Sequence, residues 1–125
     1  MQKEYHFHAY ILTNYLKTVY YVGFTNNLLR RMIEYKNGLG CKFTTRYQLK
    51  YLIYFEQTDN VYSALEREKE IKKWSRKKKM ELVRNLNSNS DDLSIKLFKD
   101  SGVGEREIQG IIQEFRANYK GREDK

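Results

Sequence analysis

The chain has 125 residues, 24 of them Lys or Arg and 16 Asp or Glu, giving a net charge of +8 and a pI near 9.5. That length suits one domain with its own core, and the single cysteine, Cys41, excludes a disulfide framework or a multi-thiol zinc or iron site. No run approaches the ~20 apolar residues of a membrane span, residues 1–8 carry no cleavable signal pattern, and a cytoplasmic location is expected.

Residues 5–13, YHFHAYILT, are rich in aromatic and branched side chains and predict a strand. Residues 14–17 are polar enough to turn, and residues 18–25, TVYYVGFT, predict a second strand hairpinned to the first. Thr25, Asn26 and Asn27 are helix-capping types. After them Leu28, Leu29, Met32, Ile33 and Lys36 recur three or four apart, giving a helix of about ten residues that stops at Asn37-Gly38. Residues 40–47, GCKFTTRY, have no clear period and predict a basic loop. Residues 49–57, LKYLIYFEQ, predict a third strand. Asp59 or Asn60 can cap one long helix over residues 61–86, with Val61, Ala64, Leu65, Ile71, Trp74, Leu82 and Val83 as its apolar positions. NLNSNSDD, residues 85–92, breaks the pattern. A short helix is expected around residues 93–98 and a longer one over residues 105–119, where Ile108, Ile111, Ile112 and Phe115 form one stripe. The order β-β-α-β-α with a helical tail predicts an α+β fold, a small three-stranded, mainly antiparallel sheet flanked by helices.

The charge is uneven. Residues 1–60 carry eight Lys or Arg against four Asp or Glu (+4), residues 61–84 nine against four (+5), and residues 85–125 seven against eight (−1). A basic body of this kind suits a polyanion such as nucleic acid, or simply a highly charged surface. Several residues break the local pattern. Glu68 lies on or beside the core-facing stripe of its helix, where a carboxylate needs a lysine or arginine partner or a bound cation. Arg31 sits at the buried margin of the first helix, with Arg30 about 100° around from it; both suit a solvated helix face or a site. Gly23, inside an aromatic strand, marks either a bulge or a close approach of another group. His6 and His8 share a strand face without an evident third ligand, and read as an ordinary strand pair.

Taken in order, these positions resemble the GIY-YIG nuclease superfamily, in its small stand-alone bacterial branch, which is similar to the N-terminal nuclease domain of the excision-repair nuclease subunit. The first motif is present as His8-Ala9-Tyr10, keeping only the tyrosine, and the second as Tyr21-Val22-Gly23. Arg31 falls at the family's catalytic arginine and Tyr35 at a position that is His or Tyr in relatives. Lys42 to Tyr47, KFTTRY, resembles a "KFTxRY" segment. Ala64-Leu65-Glu66-Arg67-Glu68-Lys69 resembles the helix whose metal-binding glutamate coincides with Glu68, and Lys72-Lys73-Trp74 continues it. Asn87 sits near a family asparagine.

The resemblance implies a metal-dependent endonuclease that hydrolyses phosphodiester bonds. Its catalytic residues would be Tyr10, Tyr21, Arg31, Tyr35 and Glu68. Glu68 would hold one Mg²⁺ or Mn²⁺, Arg31 would grip the phosphate, Tyr10 would be the candidate general base and Tyr21 its assistant. A phenol has an ordinary pKa near 10, so a base role needs nearby cations. Arg30, Lys42, Arg46, Lys73, Arg76, Lys77, Lys78 and Lys79 are expected to track a nucleic-acid backbone, DNA first, with little sequence specificity. Gly23, Trp74 and Asn87 are assigned structural roles. Residues 1–90 are expected to form the nuclease domain, and residues 91–125 a helical extension packed on it or at a dimer interface. One site should nick one strand, in a monomer or homodimer, with no membrane partner. The alternatives are a non-catalytic nucleic-acid-binding protein on the same fold, or an interaction scaffold using the tail stripe.

Overall fold

The computed structural model describes residues 6–123, with side chains described through residue 118. Three strands, β1 (Phe7–Thr13), β2 (Tyr20–Thr25) and β3 (Tyr51–Thr58), form one antiparallel sheet in the order β2-β1-β3. β1 is central and paired along both edges, and both of its faces are covered. Tyr10 and Leu12 point into one apolar cluster, with Leu28, Met32, Tyr35, Leu49 and Leu52, while Ile11 joins Val22, Ile53, Tyr54, Ile71 and Val83 in the other. This is the period-two alternation of a strand buried on both sides. The turn between β1 and β2 is built by Asn14, whose Oδ1 accepts from the Thr18 and Val19 amides at 2.8 and 3.2 Å.

Helix α1 (Leu28–Lys36) begins as expected at Asn27, whose side chain accepts from the Arg30 amide at 3.1 Å. It ends before Gly38, whose φ of +72° is costly for any residue with a Cβ. Within the expected basic loop the structure has a short helix, α2 (Lys42–Arg46). Five residues are too few to show a helical period, and this one is pinned by Thr44, which is buried while its neighbours are exposed.

The expected single helix over residues 61–86 is two helices, α3 (Val61–Lys73) and α4 (Arg76–Leu86). Trp74 is extended, and Ser75 caps α4 by accepting from the Lys78 amide at 3.2 Å. The reason for the break lies in the core. On one straight helix Val83 would point about 120° away from Ile71, twelve residues earlier. Breaking at Ser75 lets both enter the same cluster fully buried.

β3 carries one extra residue against β1: Ile11 faces Tyr54, but Leu12 faces Leu52. A bulge leaves a ladder carbonyl without its strand partner. Asn87, at the C-terminus of α4, donates from Nδ2 to the Ile53 carbonyl at 3.0 Å. Asp92 then accepts from the Leu52 amide at 3.1 Å and from Ser94, and pairs with Lys36 of α1. Residues 87–93 thereby cover the outer edge of β3, which would otherwise be open for pairing. Helices α5 (Ser94–Ser101) and α6 (Glu105–Glu123) pack back onto α1. The α6 stripe is covered by the chain itself, Ile112 most deeply, and Arg30 of α1 pairs with Glu114 of α6 at 3.2 Å. Among the described residues no helix is long and apolar enough to cross a membrane.

Candidate active site

The site is organised by a glycine. Tyr10 of β1 lies opposite Gly23 of β2, and cross-strand partners share a face. A Cβ at position 23 would stand 2.6 Å from the Tyr10 hydroxyl oxygen and 3.0 Å from Tyr21 Cε2. Gly23 therefore marks a close approach: it clears the floor over which the Tyr10 ring lies. The Tyr10 hydroxyl then meets that of Tyr35, from α1, in a buried hydrogen bond of 2.6 Å. Tyr21, two residues before Gly23 on the same strand face, packs edge-on against Tyr35 with ring centroids 6.5 Å apart. Gly40 has a related duty, since a Cβ there would lie 2.2 Å from Thr44 Oγ1 and 2.9 Å from the Tyr35 ring. The altered first motif keeps regular strand pairing, His8 opposite Thr25 and Ala9 opposite Phe24.

Charged groups flank these rings on two sides. Arg31 of α1 lies close enough to favour ionisation of both Tyr10 and Tyr35. Its Nη1 donates to Glu34 Oε1 at 3.3 Å, and Glu34, nearly buried, also pairs with Arg30 Nε at 3.5 Å. Glu34 thus positions the guanidinium, and burial raises its own pKa despite the two arginines. Glu68 of α3 is mostly covered, 12% exposed in its side chain, and pairs with Lys72 one turn on. Its charge reaches Tyr21, where it raises the phenol pKa, with Lys72 opposing.

All three phenols are held above the ordinary value of 10, burial being the largest cause in each. Tyr10 is affected most; Tyr35 and Tyr21 add to the burial effect and Arg31 only partly opposes it. Tyr10 and Tyr35 are 2% and 5% exposed, whereas Tyr21 is half-buried. The Cys41 thiol sits 3.6 Å from Thr44 Oγ1. Among the described residues no group of three or more His, Cys, Asp or Glu is placed to hold a metal.

The structure thus gathers Tyr10, Tyr21, Tyr35, Arg31 and Glu68 around one cluster. The basic residues are spread more widely. Lys42 and Arg46 are exposed on α2, next to Tyr21 through Phe43. Arg76 lies over the Tyr20 ring and donates to the Lys17 carbonyl at 3.2 Å, while Lys78 lies over Trp74. With Lys77 and Lys79 they start α4, beside the β1–β2 turn. Lys73, exposed, ends α3. Arg30 is engaged by Glu34 and Glu114 and is poorly placed to meet a phosphate. Trp74 sits between Arg67 and Lys78, against the α3/α4 core. Glu34, Lys72, Cys41 and Asp92 were not singled out as site or structural residues by the sequence. Only the i, i+4 spacing of Lys72 from Glu68 is a readable signal.

A small antiparallel sheet with paired strand tyrosines, a helix arginine and a helix glutamate beside them is a nuclease-like α+β domain. The chain matches the GIY-YIG catalytic domain over residues 6–81 and belongs to that family. It is similar to a UPF0213 protein of Staphylococcus saprophyticus, 40% identical over 63 residues, which span 50% of this chain and 77% of the relative. It is also similar to UPF0213 proteins of Natronomonas pharaonis, 38% identical over 76 residues (61% of this chain, 88% of the relative), and Syntrophus aciditrophicus, 36% identical over 85 residues (67% and 93%). No solved structure matches the chain.

Proposed function

We propose that this protein is a metal-dependent endonuclease that hydrolyses phosphodiester bonds in DNA, nicking one strand per active site with little sequence specificity. The observation that carries this reading is the cluster of Tyr10, Tyr21 and Tyr35, with Arg31 one turn before Tyr35 on α1 and Glu68 on α3, the helix packed against β1 and β2. A structural ion pair needs no such cluster; phosphoryl chemistry needs its parts. Arg31 offers a planar set of donors to the phosphate, and these gain strength as negative charge develops. Its contact with Glu34 fixes the fork before substrate arrives.

The donor set suits one Mg²⁺ or Mn²⁺ held by Glu68, with water and phosphate oxygens completing the shell, a common mode for Mg²⁺. When bound, that ion would supply charge neutralisation and a lower pKa for nearby water or phenol. Glu68 would have to exchange its contact with Lys72 for the cation. Of the two strand tyrosines, Tyr21 suits water activation better than Tyr10. It is half-buried and feels the charge of Glu68, while the Tyr10 hydroxyl is enclosed and committed to Tyr35. Tyr35, bonded to Tyr10, then holds the Tyr21 ring. Residues 1–90 would be the catalytic unit, with residues 91–125 bracing α1 and through it Arg31.

A second reading, a nucleic-acid-binding protein without catalysis, is favoured by the Glu68–Lys72 pair, which satisfies the carboxylate without a metal. Supercoiled plasmid separates the two. The nuclease reading expects open-circle product with Mg²⁺ or Mn²⁺, none with EDTA, and severe loss in Arg31→Lys. Binding without metal-dependent nicking at any protein concentration would leave the second reading.

A further inference from the structure

The rings of the site do not stop at Tyr21. From Tyr21 the next ring is Phe43, 6.2 Å away, and from Phe43 the next is Tyr47, 4.9 Å away. Both belong to the α2 region, which is anchored from beneath by buried Thr44 and Leu49. That anchoring turns Phe43 and Tyr47 outward, 43% and 39% exposed. The two rings meet at a tilt of 55° and not as a parallel stack. Cations are interleaved with them: Arg46 lies over Tyr47 at 5.4 Å, and Lys42 is exposed one residue before Phe43. Structural packing explains Tyr21 and Tyr35, but it does not explain large rings displayed to solvent beside lysine and arginine. A protein partner would gain little from that positive charge unless it were acidic, whereas a nucleic-acid strand uses rings and cations together.

We propose that Phe43 and Tyr47 form a stacking platform for unpaired bases, and that the protein engages single-stranded DNA, or a frayed or flapped end, in preference to intact duplex. This rests on the nuclease reading of the adjoining cluster and names the substrate class of that site. The physical reason is access. In a duplex each base face is already stacked on its neighbour, so an exposed ring has nothing to cover; in a single strand the faces are open. Lys42 and Arg46 take the adjacent phosphates, and the strand runs from Tyr47 past Phe43 toward Tyr21, where its backbone reaches Arg31 and Glu68.

The test is equilibrium binding of the full chain, in EDTA so that cleavage does not intervene, to a fluorescein-labelled mixed-sequence oligodeoxynucleotide and to its duplex at the same salt. The wild-type protein should bind the single strand more tightly. Tyr47→Ala and Phe43→Ala should each weaken single-strand binding by roughly 5- to 150-fold, the range for removal of one base–aromatic stack, and leave duplex binding within about twofold. Tyr47→Phe should restore wild-type affinity, which guards against misfolding of α2 as the cause. A second readout is photocrosslinking of a 5-iodouracil-substituted single strand, which should place the adduct on Phe43 or Tyr47. Equal weakening on single strand and duplex, no weakening, or adducts confined to α4 would overturn the proposal. Failure to cleave the labelled single strand, as well as plasmid, in Mg²⁺ with the single-strand preference intact would instead remove the nuclease reading alone.

Discussion

Gly23→Ala would add one methyl group at the tightest point of the site. The new Cβ would sit 2.6 Å from the Tyr10 hydroxyl oxygen and 2.7 Å from Tyr10 Cζ, closer than real contacts allow, so the Tyr10 ring must move. It cannot swing freely, because it is 2% exposed and its hydroxyl is bonded to Tyr35 at 2.6 Å. Overpacking of this kind costs about 1–3 kcal/mol, and a buried hydroxyl left unpaired costs about 1–3 kcal/mol more. A loss of about 3 kcal/mol is expected, read as a fall of roughly 10 °C in Tm for a domain of this size. Urea denaturation of Gly23→Ala, Tyr10→Phe and the double variant measures the coupling. Tyr10→Phe keeps the ring and its close approach through Cζ, but the hydrogen bond to Tyr35 can be lost only once, so the double variant should be more stable than additivity predicts by at least about 1 kcal/mol. A Gly23→Ala protein within about 0.5 kcal/mol of wild type, or strict additivity in the cycle, would refute the claim that Gly23 exists to admit Tyr10.

The Asp92 carboxyl joins β3, α1 and the start of α5. Burial opposes its ionisation, but Lys36, Ser94 and the Leu52 amide outweigh this and hold it below the ordinary carboxylate range. Its contribution is therefore complete above the unfolded value of about 3.9 and disappears as pH falls through the lower folded value. Asp92→Ala should cost about 1–3 kcal/mol at pH 7, and its gap from wild type should shrink in denaturation series carried below about pH 4. Truncation after Ser90 removes this link and the helices packed on α1, and should lower the Tm well beyond the single substitution; an unchanged melting curve would show that the tail braces nothing. Changing Arg76, Lys77, Lys78 and Lys79 to Gln should weaken binding on all sequences alike and flatten the log–log salt dependence by about 0.9 for each duplex phosphate no longer neutralised. An unchanged dissociation constant and slope would place the backbone-binding surface elsewhere, on Lys42 and Arg46 first.

Period-two and helical spacing in the sequence were enough for the three strands, α1 and the outline of the tail, because each of those elements buries a face against the sheet or α1. They were not enough for the break at Ser75. The apolar positions on either side look continuous along the chain, and only the shared core of Ile71 and Val83 shows why the axis must turn. Helix α2 was invisible for a different reason, being five residues fixed by Thr44 and Gly40 against Tyr35 rather than by a stripe of its own. Within the site, Arg31 and Glu68 stood out by breaking the local pattern, and Tyr10, Tyr21 and Tyr35 were candidates through the resemblance to the GIY-YIG superfamily. Their environments were not legible in the sequence. That Tyr10 is sealed against Tyr35 while Tyr21 is half-open depends on cross-strand register, and the duties of Glu34 and Asp92 depend on partners brought together only by the fold. The exposure of Phe43 and Tyr47 likewise follows from how α2 is seated.

The most direct test of the nuclease reading is the initial rate of plasmid nicking by wild type and Glu68→Gln at matched protein and Mg²⁺ concentrations, with nucleic-acid binding measured alongside. A neutral amide holds a hard cation poorly, and the substitution leaves the basic surfaces and the core untouched. Glu68→Gln should fold, keep binding within a few fold of wild type, and lose metal-dependent nicking. Equal nicking rates in the two proteins would contradict the assignment of Glu68 as the metal-binding carboxylate.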